Sequence, residues 1–227
     1  MEFPYRLKSE VERVGAIELK ITRLADLNQT IDELFLELEK TGREELLEDL
    51  CPYFGTIWPS ARALSSFMAQ IPELKNLRIL EVGCGLALPS LLCAKRGAQV
   101  VATDFHPDVP FFLELNAKEN QISGLEYIKV NWQLEFPGLG KFDWIIGSDV
   151  LYESKHSLIL ADAVSHYLNS NGKIVITDPA RPYLQSFVDA MKAKGFDCIS
   201  SVVTAPDHPK PKEIFVTEFS RVSREIS

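Results

Sequence analysis

The 227-residue sequence predicts an α/β fold: a three-layer sandwich on a mostly parallel seven-stranded sheet, with a C-terminal antiparallel hairpin and an N-terminal extension. Three observations predict it. From Leu77 onward, short apolar runs alternate with stretches whose apolar residues recur at helical spacing. Those short runs are apolar throughout, as in parallel strands that helices cover on both faces. The last two β-rich runs follow one another with no helix between them, so they pair as a hairpin.

The elements follow in order. "RLKSEVERVGAIELKIT" alternates around Gly15 and predicts a small hairpin. "NQTIDELFLELEK" has a capping residue followed by helical spacing. "WPSARALSSFMAQI" predicts an amphipathic helix with Pro59 near its start. "LRILEVG" is a buried strand ending at glycines, and "LPSLLCAKRG" a helix that tolerates Pro89 in its first turn and stops at Gly97. "AQVVATD" is a strand and "PDVPFFLELNAKENQ" a helix; "LEYIKVN" and "FDWIIGSD" are strands, and "SLILADAVSHYLN" is a helix. "GKIVITD" predicts a strand, "YLQSFVDAMKAKG" a helix, and "FDCISSVVTA" and "EIFVTEFSRV" the closing hairpin across "PDHPKPK". No internal repeat or low-complexity linker divides the chain. Residues 1–57 are expected to form an extension packed on the core, and residues 58–227 the ligand-binding domain.

Composition bounds the function. With 46% apolar and 25% charged residues, a sizeable core is available. A net charge of −8 argues against a sequence-independent nucleic-acid binder, which needs a basic footprint. No apolar run approaches the roughly 20 residues that span a bilayer. The stretch "MEFPYRLKSE" lacks the basic start and apolar core of a secretory signal. Cys51, Cys84, Cys93 and Cys198 form no CxxC pair, and the four histidines show no metal-ligand spacing, so no metal and a reduced, cytoplasmic protein are expected.

In an open α/β sheet, ligands bind beyond the carboxyl ends of the strands, where strand order reverses. The first long strand ends in "EVGCG", with Glu81, Gly83, Cys84 and Gly85. Two glycines let the backbone approach a ligand, the alternative being a tight turn that holds none. The second ends in "ATDF", where Asp104 either accepts the hydroxyls of a ribose or caps the next helix, with Phe105 beside it. Together they point to a nucleoside cofactor in a Rossmann-like site. The dinucleotide fingerprint wants a third glycine where this chain has Leu88, which disfavours nicotinamide or flavin. Glu81 is awkward beside phosphates but acceptable beside a sulfonium and an α-amino group, as in S-adenosyl-L-methionine. The "GSDVLYE" stretch ends an apolar strand on Ser148 and Asp149, with Tyr152 three residues later. Cys84 lacks a neighbouring base and reads as a small filler. His106 suits a helix entry, His156 and His166 a solvated helix face, and Arg181 either a substrate carboxylate or a surface ion pair.

"ILEVGCGLALPSLLCAKRGAQVVATD", "FGTIWPSARALSSF", "VNW" and "SDVLY" resemble the class I, seven-β-strand methyltransferases. More narrowly they resemble the family 16 lysine methyltransferase group and its bacterial relatives, from Tyr53 to the end. "TDPARPYL" is similar to a DP-x-R segment in the branch that contains the electron-transfer-flavoprotein lysine methyltransferases. The resemblance implies that Trp58 packs along the cofactor, that Gly83 and Gly85 make room for its methionine part, and that Asp104 takes the ribose. It places Asn131 and Trp132 at the adenine, with Asn131 standing where the family has an acid, and Ser148 on the pocket wall. Trp58 and Trp132 also suit a core position on burial tendency alone. Asp149 and Tyr152 match the family's acid-x-x-Tyr motif, which faces the substrate amine; alone, Asp149 also reads as a helix cap.

The implied activity is methyl transfer from S-adenosyl-L-methionine to a protein lysine, leaving S-adenosyl-L-homocysteine. A small-molecule N-methyltransferase and a non-catalytic cofactor- or partner-binding relative remain alternatives. The sequence sets neither the substrate nor the oligomeric state.

Overall fold

The computed structural model describes residues 5–131, 138–205 and 212–222. Strands β1 (Leu7–Val14) and β2 (Ile17–Leu24) pair antiparallel as a separate ribbon. The remaining strands are β3 (Arg78–Val82), β4 (Gln99–Asp104), β5 (Leu125–Lys129), β6 (Phe142–Ser148), β7 (Leu168–Asp178), β8 (Phe196–Ala205) and β9 (Lys212–Arg221). They form a seven-stranded sheet in the order β5-β4-β3-β6-β7-β9-β8. The first five are parallel, and β9 runs antiparallel to both β7 and β8. The chain steps outward from β3 to β5 and then returns to lay β6 on the other side of β3. The carboxyl ends of β3 and β6 therefore flank the point where strand order reverses, where a crevice opens.

The helices are α1 (Leu27–Thr41), α2 (Leu47–Leu50), α3 (Pro59–Gln70), α4 (Leu88–Lys95), α5 (Val109–Glu119), α6 (His156–Tyr167) and α7 (Tyr183–Ala193). Successive strand residues point to opposite faces, so one strand feeds two cores. Ile79 of β3 and Ile146 of β6 join α3, α4, α5 and the β1–β2 ribbon. Leu80, Val82 and Ile145 join α6 and α7 on the other face. These are the three layers expected from the continuous apolar runs.

Three local readings need correction. The cap of α1 is Asp26, whose side chain accepts the Gln29 N–H, just before the stretch that shows helical spacing. Strand β7 starts at Leu168 directly after α6, so residues 168–171 join the strand expected from Gly172, with a register shift opposite Phe142–Trp144. His156 is buried at the start of α6 rather than solvated, because its ring packs edge-on against Tyr152 at 4.5 Å.

Candidate active site

A cavity of about 620 Å³ opens at the carboxyl edge of the sheet. Its floor is the loop after β3, Gly83 to Leu88, and its walls come from the ends of β4, β5 and β6. Residues 53–61 close one side, with the Trp58 indole N–H donating to the Tyr53 carbonyl at 3.0 Å. Pro59, the first residue of α3, follows that tryptophan directly, so the helix start fixes the ring at the rim.

The glycine loop is held open by its backbone. Gly83 and Gly85 have φ of +62° and +51°, a region that disfavours side chains. A Cβ on Gly85 would also sit 3.3 Å from the Phe54 carbonyl. The Asp104 carboxylate accepts the Gly85 N–H at 2.9 Å and the His106 N–H at 3.0 Å, tying the ends of β3 and β4 together. Each oxygen keeps a lone-pair direction for a ligand hydroxyl. Phe105, half exposed, lies beside it under the Lys129 ammonium. The His106 ring accepts the Asp108 N–H through Nδ1 and bonds the Leu50 carbonyl through Nε2, so it enters α5 and ties α2 to the site. Burial lowers its pKa, outweighing the neighbouring carboxylates.

Glu81 sits differently from the other residues named in the sequence. It does not line the cavity; it is fully buried beneath the loop, and its Oε2 accepts the Ser90 N–H at 3.0 Å and the Ser90 hydroxyl. Burial pushes its pKa up to about 8, against the lowering effect of Ser90. A carboxyl group therefore occupies the N-terminal turn of α4, the position that receives a pyrophosphate in dinucleotide sites. Leu88, at that turn, is also fully buried. Backbone room, the Asp104 carboxylate held at the cavity wall and apolar walls from Leu86 and Val130 suit a nucleoside without phosphates. Cys84 lines the cavity, and burial raises its thiol pKa well above the usual range, so it is no nucleophile.

Across the cavity, β6 ends at Ser148, and Asp149 follows in the left-handed region at φ +58°. The Asp149 N–H donates to the Thr177 carbonyl at 3.0 Å. Its Oδ1 pairs with Arg181 Nη1 at 2.5 Å, and its Oδ2 is buried with no hydrogen-bond partner among the described residues. Arg181 also contacts Asp178, through Nη1 at 3.3 Å and through its own backbone N–H at 2.6 Å. Asp178 is fully buried, and desolvation raises its pKa despite that arginine. Of the two roles expected for Arg181, the ion pair is the one seen, though its partners are the largely buried Asp149 and Asp178 rather than surface acids, and Asp149 is the acid of the acid-x-x-Tyr motif. Tyr152 is half exposed at the mouth; partial desolvation, then the Asp104 charge, push its phenol up to about 12.

Trp58, Gly83, Cys84, Gly85, Asp104, Phe105, Asn131, Ser148, Asp149 and Tyr152 all face this one cavity. Trp132 lies outside the described residues. Sequence reasoning missed Phe54 under the glycine loop and the Arg181–Asp149 pair. The clue to the pair was an arginine bracketed by Pro179 and Pro182 after an acid at a strand end. No cluster of His, Cys, Asp or Glu among the described residues could hold a metal, and none of their helices is long and apolar enough to cross a membrane.

A lysine methyltransferase family model matches residues 44–194. Histone-arginine methyltransferase METTL23 of Xenopus laevis is 38% identical over 46% of this chain and 47% of its own. The electron transfer flavoprotein beta subunit lysine methyltransferase of the same organism is 29% identical over 60% and 55%. The chain thus spans about half the length of these curated relatives. Among solved structures, the T. thermophilus 16S rRNA methyltransferase RsmC superposes with a TM-score of 0.66 at 14% identity, covering 98% of this chain and 52% of that one. The Synechocystis magnesium protoporphyrin IX methyltransferase gives 0.59 at 16% identity, covering 87% and 98%. At such identities the structural likeness carries the fold alone.

Proposed function

Because the chain belongs to the lysine methyltransferase family, we propose that it moves a methyl group from S-adenosylmethionine to a lysine side-chain amine of a protein. Asp149 carries the reading: an acid at the reversal point of the sheet with one buried oxygen that has no partner among the described residues. When bound, S-adenosylmethionine supplies an activated methyl group on a sulfonium. The chain supplies placement. In this reading Asp104 takes the ribose hydroxyls, Gly83 and Gly85 admit the methionine part, and Phe105 and Asn131 border the base. Trp58, Cys84 and Ser148 wall the pocket, while Glu81 holds α4 from below.

An ammonium has no lone pair, and a lysine in water loses its proton only near pH 10.4 or so. Desolvation eases that loss, whereas a bare carboxylate beside the amine opposes it. Asp149 Oδ2 therefore acts as an acceptor that orients one N–H of the amine. The Tyr152 ring forms the wall along which the amine enters, favourable to a cation before it is deprotonated. Placement of this kind supplies much of the barrier reduction when the donor is already activated. All four cysteines are free, which supports a reducing, cytoplasmic setting.

The test pairs two measurements on Asp149→Ala, which removes both side-chain acceptors. Calorimetric titration with S-adenosylhomocysteine should give wild-type affinity, and labelling of a protein extract with methyl-labelled S-adenosylmethionine should fall at least about a hundredfold, the scale for losing a placed acceptor. Wild-type turnover in the variant overturns the role of Asp149. Label found only in small molecules with the wild-type chain replaces the protein acceptor with a small amine.

A further inference from the structure

The relatives of this chain are named for lysine, arginine and histidine acceptors. We propose that Arg181 selects an amine over a guanidinium by occupying one oxygen of Asp149, which leaves a single acceptor for the substrate. This rests on the reading of Asp149 above and adds a specificity-determining residue to it.

The geometry is specific. Arg181 Nη1 lies 2.5 Å from Asp149 Oδ1, and Oδ2 remains buried and without a partner among the described residues. Arg181 is not a mobile surface side chain. Its backbone N–H is fixed on Asp178 Oδ1 at 2.6 Å, its Nη1 also meets Asp178 Oδ2, and Pro179 and Pro182 constrain the turn that carries it. The Asp149 backbone is tied in turn to the same β7 end through Thr177. Acid and arginine are thus held in register by one pair of strand ends.

A substrate guanidinium presents its donors as a planar fork that is best met by both oxygens of one carboxylate. Here one oxygen is already taken by a guanidinium, and a second would place two like charges on the same acid. A lysine amine makes neither demand. It needs one acceptor for one N–H, and in its neutral form it adds no charge. Arg181 also offsets the carboxylate's tendency to keep the amine protonated. It touches Asp149 rather than the reacting atoms, so it is a positioning residue.

The full chain and its Arg181→Gln and Arg181→Lys variants are incubated with labelled S-adenosylmethionine and a heat-inactivated soluble protein extract. Hydrolysis then quantifies methyl-lysine against methylarginine, and S-adenosylhomocysteine titration reports the integrity of the cofactor site. The wild-type chain should label lysine. Arg181→Gln should keep its affinity for S-adenosylhomocysteine, lose about tenfold to a hundredfold in kcat, and narrow the lysine-to-arginine ratio by about tenfold; this is the range for losing a hydrogen bond to a charged group. Arg181→Lys keeps the charge without the fork and should give an intermediate ratio; it decides alone if the glutamine variant does not fold. An unchanged ratio in a folded variant, or arginine labelling by the wild type, overturns the role of Arg181. No labelled protein with any chain sinks the function reading itself.

Discussion

At the scale of single residues, Glu81 shows how a charge in a strand is tolerated. It is fully buried in β3 and bonded to Ser90, with its Oε1 lacking a partner among the described residues. Its carboxyl pKa is raised from 4.5 to about 8, so the folded chain holds a proton that the unfolded chain releases. Stability from this group is therefore full below about pH 4.5 and is lost as pH rises through about 8, with a size on the order of 5 kcal/mol. Glu81→Gln keeps an acceptor for Ser90 and cannot ionise. Chemical denaturation at pH 5, 7 and 9, values chosen roughly to bracket that window, should show a falling wild-type stability and a flatter variant. Parallel pH profiles would count against the assignment. The sequence marked Glu81 as a charge near the loop but could not show that its side chain lies beneath it, because strand phase is a tertiary fact. Asp149 was legible as a residue type at a strand end. Its φ of +58° and the pairing with Arg181 depend on how the ends of β6 and β7 are set side by side, which the two prolines around Arg181 hint at but do not fix.

At the scale of elements, the β1–β2 ribbon meets the sheet domain through an unusual partner. The outer edge of β2 bonds to Asn116 of α5 and to Asn120, which caps that helix, in place of another strand. Asn116 accepts the Thr22 N–H at 2.7 Å and donates to the Thr22 carbonyl at 3.2 Å. Asn120 makes the same pair of bonds with Lys20, at 2.8 and 2.7 Å. The spacing explains the match: two strand residues rise about 6.8 Å and four helical residues about 6 Å. Each side-chain amide offers one donor and one acceptor, as a peptide group does. Asn116 is fully buried, so Asn116→Ala would strand both Thr22 groups and should cost about 1–3 kcal/mol. Hydrogen exchange should show faster exchange along β2 than along β3 in that variant; equal protection of β2 in both chains would show that these bonds are dispensable. Both elements were readable separately, the ribbon from alternation around Gly15 and α5 from its apolar spacing. Their docking was not, since an asparagine in a helix reads equally well as a solvated residue.

At the scale of the whole molecule, the extension and the sheet share one core. Leu19, Ile21 and Leu24 of β2 are buried in the same cluster as Leu88, Leu91 and Phe112. Gly55, just before α3, sits so close to Leu24 that a Cβ there would fall 2.2 Å from its Cδ1. The layers and the mostly parallel sheet were legible because continuous apolar runs state that both faces are covered, whereas the strand order comes from the structure. The boundary at residue 57 was drawn from a change in pattern, and pattern does not report which apolar faces meet. Each fully buried aliphatic side chain contributes about 1.5–3 kcal/mol, against a typical net stability of about 5–15 kcal/mol. Three such residues on β2 therefore hold a large share of the balance. We propose that residues 1–57 are energetically part of the methyltransferase core. The full chain should then unfold in one transition, with far-UV circular dichroism and tryptophan fluorescence coinciding. Removing residues 1–24 would uncover the α4–α5 face and also free the loop that holds Phe54 beneath Gly85. The shortened chain should lose its folded baseline together with its affinity for S-adenosylhomocysteine. A shortened chain with the wild-type denaturation midpoint would instead make the ribbon an independent appendage, with the cofactor site built entirely by the strands that follow it.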